Sequence, residues 1–67
     1  MSKYNEVVLN LLSKEEIKST NQILTELQTK VKKSVNWHVL YRILMELETS
    51  HKIDKLHAKA GFFWKRK

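Results

Sequence analysis

Three short stretches of this 67-residue chain repeat apolar residues at the spacing of an amphipathic helix. Helices of this length are marginal in water on their own, so the three must bury their apolar faces against one another in one core. The apolar positions are Tyr4, Val7, Val8, Leu11 and Leu12 in the first stretch, Ile23, Leu24, Leu27 and Val31 in the second, and Leu40, Ile43, Leu44 and Leu47 in the third.

Capping signals set the bounds of these helices. The first is expected over about residues 3–13. The segment from Ser19 to Gln22 has the form of a capping box, a hydroxyl followed three residues later by Gln, and predicts a second helix over about residues 20–31. The third helix, expected over about residues 36–49, could be capped by Ser34 or Asn36. Asn36 is favoured, because inside the helix its amide would point into the apolar stripe and need partners there.

The C-terminal stretch indicates a β-hairpin over about residues 52–66. The segment Lys59-Ala60-Gly61 contains the only glycine and suits a tip that needs a positive φ, and the aromatic run after it favours a strand. Strand alternation puts Phe62 and Trp64 on one face and Phe63 and Lys65 on the other, but leaves open which face is buried. A further short extended piece is expected at Ile17-Lys18, before the second helix.

Positive charge gives the first indication of function. Lysine and arginine outnumber aspartate and glutamate by 13 to 7, a formal net charge of +6. Residues 1–29 are close to neutral, so the surplus lies in the turn before the third helix and above all in the C-terminal quarter. A basic surface of this kind favours polyanions.

Several function classes are excluded or disfavoured by composition. The absence of cysteine rules out a disulfide scaffold, a thiolate zinc site and a cysteine nucleophile. His38, His51 and His57 lack the spacing of metal-ligand pairs, and there is neither a glycine-rich phosphate loop nor a recognisable Ser/His/Asp arrangement. We therefore expect no enzyme activity, metal, cofactor or small-molecule ligand.

Hydropathy bears on where the protein acts. No apolar run approaches the roughly 18 residues of a membrane span, and the sequence shows no signal peptide. We expect a cytoplasmic protein without a membrane partner, nucleoid-associated if its source is a prokaryote or a virus.

The order helix, extended piece, helix, helix, hairpin resembles the winged helix-turn-helix family. The resemblance spans nearly the whole chain and implies one domain over residues 1–67, with an α+β, mainly helical fold of three helices and a C-terminal β-hairpin wing. The residues at the family's spacings are Leu40, Arg42, Leu44, Leu47, His51, Ile53 and Lys55, together with Ser19, Ile23 and Leu27 upstream.

The sequence departs from that family at two places. His51 stands where the family usually has glycine, so either His51 adopts the left-handed conformation or the turn differs there. The connection between the second and third helices, from Gln28 to Val35, is longer than the usual tight turn.

The resemblance implies a function in binding double-stranded DNA, as a small transcriptional regulator. The third helix would enter the major groove, and the basic wing would follow the adjacent backbone. A homodimer is expected, since two half-sites multiply the limited affinity of one small module. The expected DNA-binding residues are Lys32, Lys33, Trp37, His38, Tyr41, Arg42, Lys55, Lys59, Lys65 and Arg66.

Two other function classes stay open, because winged domains also bind proteins and fold does not settle function. Trp37, Tyr41 and Met45 are apolar for a solvent face, and could belong to the core, to a dimer seam or to a contact surface. With Trp64 they could dock a partner protein. Trp37, Tyr41 and Trp64 could alternatively stack on the bases of single-stranded nucleic acid. The basic turn and wing favour duplex DNA, since protein docking does not require them.

Overall fold

Three helices pack against a three-stranded antiparallel sheet in the part of the chain that the structure describes. The structure is a computed structural model, and it describes residues 4–59 and 61–67. The elements are α1 (Asn5–Leu11), β1 (Lys18–Ser19), α2 (Thr20–Val31), α3 (Trp37–Thr49), β2 (Ile53–Ala58) and β3 (Gly61–Arg66). The expected α+β layout with a C-terminal hairpin is confirmed, and it is compatible with a winged-helix arrangement.

The helix starts follow the capping signals. Ser19 Oγ accepts a 3.1 Å hydrogen bond from the backbone N–H of Gln22. The Gln22 side chain donates to Glu26 instead of reaching back to Ser19, so only half of the capping box is formed. Asn36 caps α3, as predicted, by accepting a 2.7 Å hydrogen bond from the N–H of His38. The first helix is shorter than expected, because the backbone is already extended at Leu12.

The core contains residues of all three helical stripes and of the sheet. Trp64 is fully buried, so the face of β3 that carries Phe62 and Trp64 packs against the helices, while Phe63 and Lys65 lie on the outer face. The buried apolar residues are Val8, Leu12, Ile23, Leu27, Val35, Leu40, Ile43, Leu44, Leu47, Ile53 and Trp64.

The strand β3 is central, with β1 on one side and β2 on the other. The register pairs Lys55 with Trp64 and His57 with Phe62, so all four residues share the face towards the helices. Asp54 and Leu56, paired with Lys65 and Phe63, lie on the outer face.

The turn after α3 resolves the question raised by His51. His51 has a φ of 62°, so a histidine takes the left-handed position usually held by glycine. The N–H of His51 donates to the carbonyl of Glu48, and that of Lys52 to the carbonyl of Leu47, at 2.9 and 3.0 Å. These two bonds form a Schellman motif, which ends the helix and starts β2 within three residues.

The helix α2 ends at Val31, where the capping signals predict its end, so the connection to α3 is shorter than the stretch from Gln28 to Val35 that was compared with the winged family. Residues Gln28 to Val31 are helical, and the connection begins at Lys32, which has a left-handed φ of 57°. The Gln28 side chain then accepts a 2.8 Å hydrogen bond from the N–H of Val35 and so fixes the loop.

The hairpin tip is described only in part. Gly61 has a φ of 128°, which agrees with the expected need for glycine there. Ala60, expected at the same tip, and Lys3, expected in the first helix, lie outside the described residues. Among the helices described, none has the length and apolar character to cross a membrane.

Candidate nucleic-acid interface

Aromatic rings join α3 to the hairpin. The Tyr41 ring stacks on that of Trp37, with centroids 5.0 Å apart and planes 11° apart. On its other sides Tyr41 meets the rings of Phe62 and Trp64, at 6.1 and 6.3 Å between centroids. We call these four residues, Trp37, Tyr41, Phe62 and Trp64, the aromatic joint. The aromatic joint fixes the orientation of α3 relative to the hairpin, because the Tyr41 ring on α3 packs on two rings of β3. The Trp37 ring is connected to the hairpin through its stacking on Tyr41.

The four rings differ in exposure. Trp64 is fully buried, Tyr41 and Phe62 are half-buried, and Trp37 is 42% exposed. Trp64 is therefore not open to a partner protein or to a base, contrary to the two alternative functions weighed from the sequence. Trp37 is the member of the aromatic joint that solvent reaches most readily.

A lysine and a histidine of the hairpin lie beside the aromatic joint. The ammonium nitrogen of Lys55 is 4.7 Å from the centre of the Phe62 ring, a distance typical of a cation–π contact. The His57 ring meets the same Phe62 ring edge to face, with 4.7 Å between centroids. Lys59 is exposed just beyond β2, towards the tip. This half of the hairpin therefore presents positive charge on the side that faces α3.

The outward face of α3 continues this surface. His38, Arg42, Met45 and Thr49 recur at i, i+4, i+7 and i+11, opposite the buried stripe of the helix. His38 and Arg42 are exposed, and the His38 ring packs edge to face on Trp37 at 5.4 Å. The two carboxylates of α3 both lie in its C-terminal half, at positions 46 and 48, so the N-terminal half is the more positive.

The cations at this surface are not neutralised by the protein's own carboxylates. Among the described residues, ion pairs join Lys18 to Glu26 at 2.7 Å and Lys67 to Asp54 at 3.7 Å. The expected DNA-binding cations take part in neither pair. They are Lys32, Lys33, Arg42, Lys55, Lys59, Lys65 and Arg66. Positive charges left unpaired in this way are available to an external anion.

The expected DNA-binding residues divide into three groups in the fold. The group around the aromatic joint consists of Trp37, His38, Tyr41, Arg42, Lys55 and Lys59. Lys32 and Lys33 line a separate shallow groove of about 400 Å³ at the turn between α2 and α3. Lys65 and Arg66 lie at the far end of β3 from its tip, and Lys65 faces outward opposite Asp54. With a strand rise of about 3.3 Å per residue, Lys65 is roughly 10 Å along the strand from Phe62.

Sequence reasoning missed the part that His57 and Phe62 have at this surface. His57 was considered only as a metal ligand, yet the alternation of β2 puts it on the same face as Lys55. That alternation was a usable signal. Nowhere among the described residues do three or more histidine or carboxylate side chains come close enough together to hold a metal ion.

Two depressions flank Trp37 and Tyr41. One is a cleft of about 200 Å³ between the start of α2, Trp37 and the hairpin tip, and its lining consists of Ser19, Thr20, Asn21, Trp37, Gly61, Phe62 and Phe63. The other is an open groove of about 620 Å³ between α1 and α3, and its lining consists of Asn5, Tyr41, Arg42, Met45, Glu46, Thr49 and Ser50. In this groove the Asn5 amide donates a 3.2 Å hydrogen bond to Glu46.

No protein-family model, curated protein or solved structure matches this chain. The α+β layout with its hairpin is shown by the structure, whereas membership of the winged helix-turn-helix family stays a prediction from the residues. Function has to be inferred from the chemistry of the surface, because a fold alone does not determine it.

Proposed function

We propose that this protein binds double-stranded DNA, with the N-terminal half of α3 in the major groove and the hairpin on the adjacent backbone, and that it acts as a small transcriptional regulator. One observation carries the proposal. A helix face and a hairpin face, held together by the aromatic joint, present cations that no carboxylate of the described residues neutralises.

The side chains of this surface suit the chemistry of duplex DNA. Arg42 offers the planar fork that binds guanine bidentately in the major groove, and His38 can donate to a base edge or a phosphate. Lys55 and Lys59 on the hairpin are point charges suited to phosphates. Contacts to phosphate would position the protein, and Arg42 would supply sequence preference.

The dimensions are compatible with this assignment. At 1.5 Å per residue, the 13 residues of α3 form a rod about 20 Å long. The major groove, about 12 Å wide, accepts an α-helix. With the positive N-terminal half of α3 in the groove, the acidic C-terminal half of the helix would point away from the negatively charged DNA.

The test is a mobility shift with a duplex at two salt concentrations, about 50 and 200 mM, in the presence of scrambled competitor. We expect binding that weakens steeply with salt, and a slope that falls by about 0.9 for each phosphate contact removed. The variant Lys55→Gln with Lys59→Gln should flatten the slope. Lys14→Gln is the matched control, since Lys14 is an exposed lysine in the connection between α1 and β1 and should leave the slope unchanged. Absence of any shift at the lower salt would overturn the proposal.

Docking of a partner protein is a second candidate function, and the groove between α1 and α3 favours it. Half-buried Tyr41 and Met45 line this groove, beside the exposed Arg42. The mobility shift separates the two candidates, because protein docking through this groove predicts no salt-dependent affinity for DNA.

The proposal includes two copies of the protein on one DNA site. One module of this size gives limited affinity, and two linked half-sites multiply it. The stoichiometry measured in the mobility shift, with increasing protein at fixed DNA, tests this point.

A further inference from the structure

The cleft beside Trp37 has the composition of a site for one flat polar ring. Trp37 and Phe62 provide its aromatic side chains, and Ser19 and Asn21 provide polar atoms at its edge. Its volume of about 200 Å³ is below the roughly 300–1,000 Å³ of a typical ligand pocket. The cleft therefore has room for a single ring system and not for a whole nucleotide cofactor.

Trp37 is ordered before any ligand arrives. Its indole ring stacks on Tyr41, and the His38 ring packs against its edge, yet 42% of the residue is exposed. An aromatic side chain that is already held in place loses little conformational entropy when another ring stacks on it. Trp37 is thus a fixed stacking platform rather than a mobile surface side chain.

The polar atoms of the cleft are free to contact a ligand. The side-chain amide of Asn21 has no hydrogen-bond partner among the described residues, so it offers both a donor and an acceptor. Ser19 Oγ accepts the N–H of Gln22 and keeps its own hydroxyl proton to donate. The Thr20 hydroxyl is already occupied, since it accepts from Trp64 and donates to the carbonyl of Phe62.

We propose that this cleft binds one unpaired nucleobase of the bound DNA, stacked on Trp37 and hydrogen-bonded at its edge by Asn21 and Ser19. The inference rests on the proposed function, because the cleft at the start of α2 is bordered by Trp37 of α3 and by the hairpin tip, and both of these elements are assigned to the duplex. A base has a flat π-face and an edge of donors and acceptors, which are the two features that the cleft complements.

A preference for irregular DNA follows from this assignment. A paired base must first be unstacked and unpaired before it can enter a pocket, whereas a bulged base has already lost its partner. The preferred ligand class is therefore duplex DNA that carries an unpaired nucleotide, rather than perfect duplex.

The experiment compares three duplexes of one sequence: a perfect duplex, a duplex with a single-nucleotide bulge, and a duplex with an abasic residue at the bulge. The abasic duplex shares the backbone and the flexibility of the bulged duplex and lacks only the base. We expect the bulged duplex to bind about tenfold more tightly than the abasic one, the size of one base–aromatic stacking contact. This comparison uses the unaltered protein and does not depend on the folding of a variant.

Two variants connect that preference to Trp37. Trp37→Ala should lower the ratio of the affinities for the bulged and the abasic duplex from about ten to about one, whatever its effect on duplex binding as a whole. The matched control is Val39→Ala on the same helix, because Val39 and Trp37 are equally exposed, at 42% each, and Val39 does not line the cleft. The second tryptophan, Trp64, is fully buried, so a change in tryptophan emission on adding the bulged duplex should disappear in Trp37→Phe.

The outcomes separate the two proposals. Equal affinity for the bulged, abasic and perfect duplexes overturns the base site and leaves duplex binding in place. A preference for the bulged duplex that persists in Trp37→Ala also overturns it, since the base then stacks elsewhere. Failure to bind any of the three duplexes at low salt overturns both proposals together.

Discussion

The indole Nε1 of Trp64 donates a 2.8 Å hydrogen bond to Oγ1 of Thr20 in the protein interior. Thr20 Oγ1 in turn donates to the carbonyl oxygen of Phe62 at 3.3 Å. The bond satisfies the single polar atom of a fully buried side chain, which would otherwise lose its water without compensation. It also ties the first residue of α2 to the central strand of the sheet.

Thr20→Val tests this relationship, because valine matches the shape of threonine and cannot accept the indole N–H. We expect the free energy of unfolding to fall by about 1–3 kcal/mol, the cost of a buried donor without a partner. Urea denaturation monitored by circular dichroism measures it. Thr20→Ser is the control, since it keeps the hydroxyl, and it should be clearly more stable than Thr20→Val. Equal stabilities for the two variants would show that the hydrogen bond contributes nothing.

The burial of Trp64 shows how much of the fold can be predicted from the sequence. Strand alternation correctly placed Phe62 and Trp64 on one face, but the buried side is decided by how the sheet packs on the helices. Local signals were more informative. The cap at Asn36 depends on backbone within a few residues and was predicted from the residue type. The left-handed turn at His51 was one of two alternatives that the resemblance to the winged family left open, since histidine itself does not favour that conformation.

The candidate site was harder to anticipate than the fold, since it depends on contacts between distant segments. Lys55 and Lys65 have the same charge, and both lie in the hairpin that the sequence predicts over about residues 52–66. The register of β2 with β3 separates them, by turning Lys55 towards α3 and Lys65 to the outer face. Likewise, the contact of Tyr41 with Trp64 depends on the rotation of α3 against the sheet, which apolar spacing alone does not fix.

His51→Gly is expected to stabilise the protein. His51 has a φ of 62°, and the left-handed region costs a residue with a Cβ about 1–2 kcal/mol. Glycine avoids that cost but loses more entropy on folding, so the net gain should be about 0.5–1 kcal/mol. Thermal unfolding followed by circular dichroism measures the gain. The control is His57→Gly within β2, where glycine weakens the strand and stability should fall. A lower melting temperature for His51→Gly would contradict the argument.

Leu47→Ala tests the orientation of α3. Leu47 is only 4% exposed and packs in the core, so the truncation should lower the free energy of unfolding by about 2–5 kcal/mol. Val39→Ala is the control on the same helix, because its side chain is exposed and the change should stay within about 0.5 kcal/mol. Urea denaturation of both variants gives the comparison, and similar small losses would mean that the helix is rotated differently.

The ion pair between Lys18 and Glu26 predicts a pH dependence of stability. The hydrogen bond from the Lys18 ammonium holds the pKa of Glu26 below its ordinary value, against the opposing effect of partial burial. Folding is therefore favoured by the charged carboxylate above the ordinary pKa of 4.5, and that contribution is lost as the pH falls through the lowered value. Since the pair is partly solvated, the contribution should be about 0.2–1 kcal/mol.

Glu26→Gln measures that contribution. The variant should be less stable than the parent at neutral pH, and the difference should shrink as the pH is stepped down from above 4.5 through the lowered pKa of Glu26. Glu15→Gln is the control, because Glu15 is exposed and takes part in no ion pair of the described residues. A stability difference between Glu26→Gln and the parent that is constant across this range would exclude the carboxylate as its source.

Arg42→Ala tests which residue confers sequence preference in the proposed DNA complex. Arg42 is exposed on the outward face of α3, so its removal should leave the melting temperature nearly unchanged. On a site selected from a randomised duplex library, the variant should lose about 1–3 kcal/mol of binding free energy and tolerate base changes at one position. Lys14→Ala removes an exposed charge elsewhere and should preserve the ranking of sequences. If Arg42→Ala weakens binding equally on all duplexes, Arg42 contacts phosphate and another residue reads the bases.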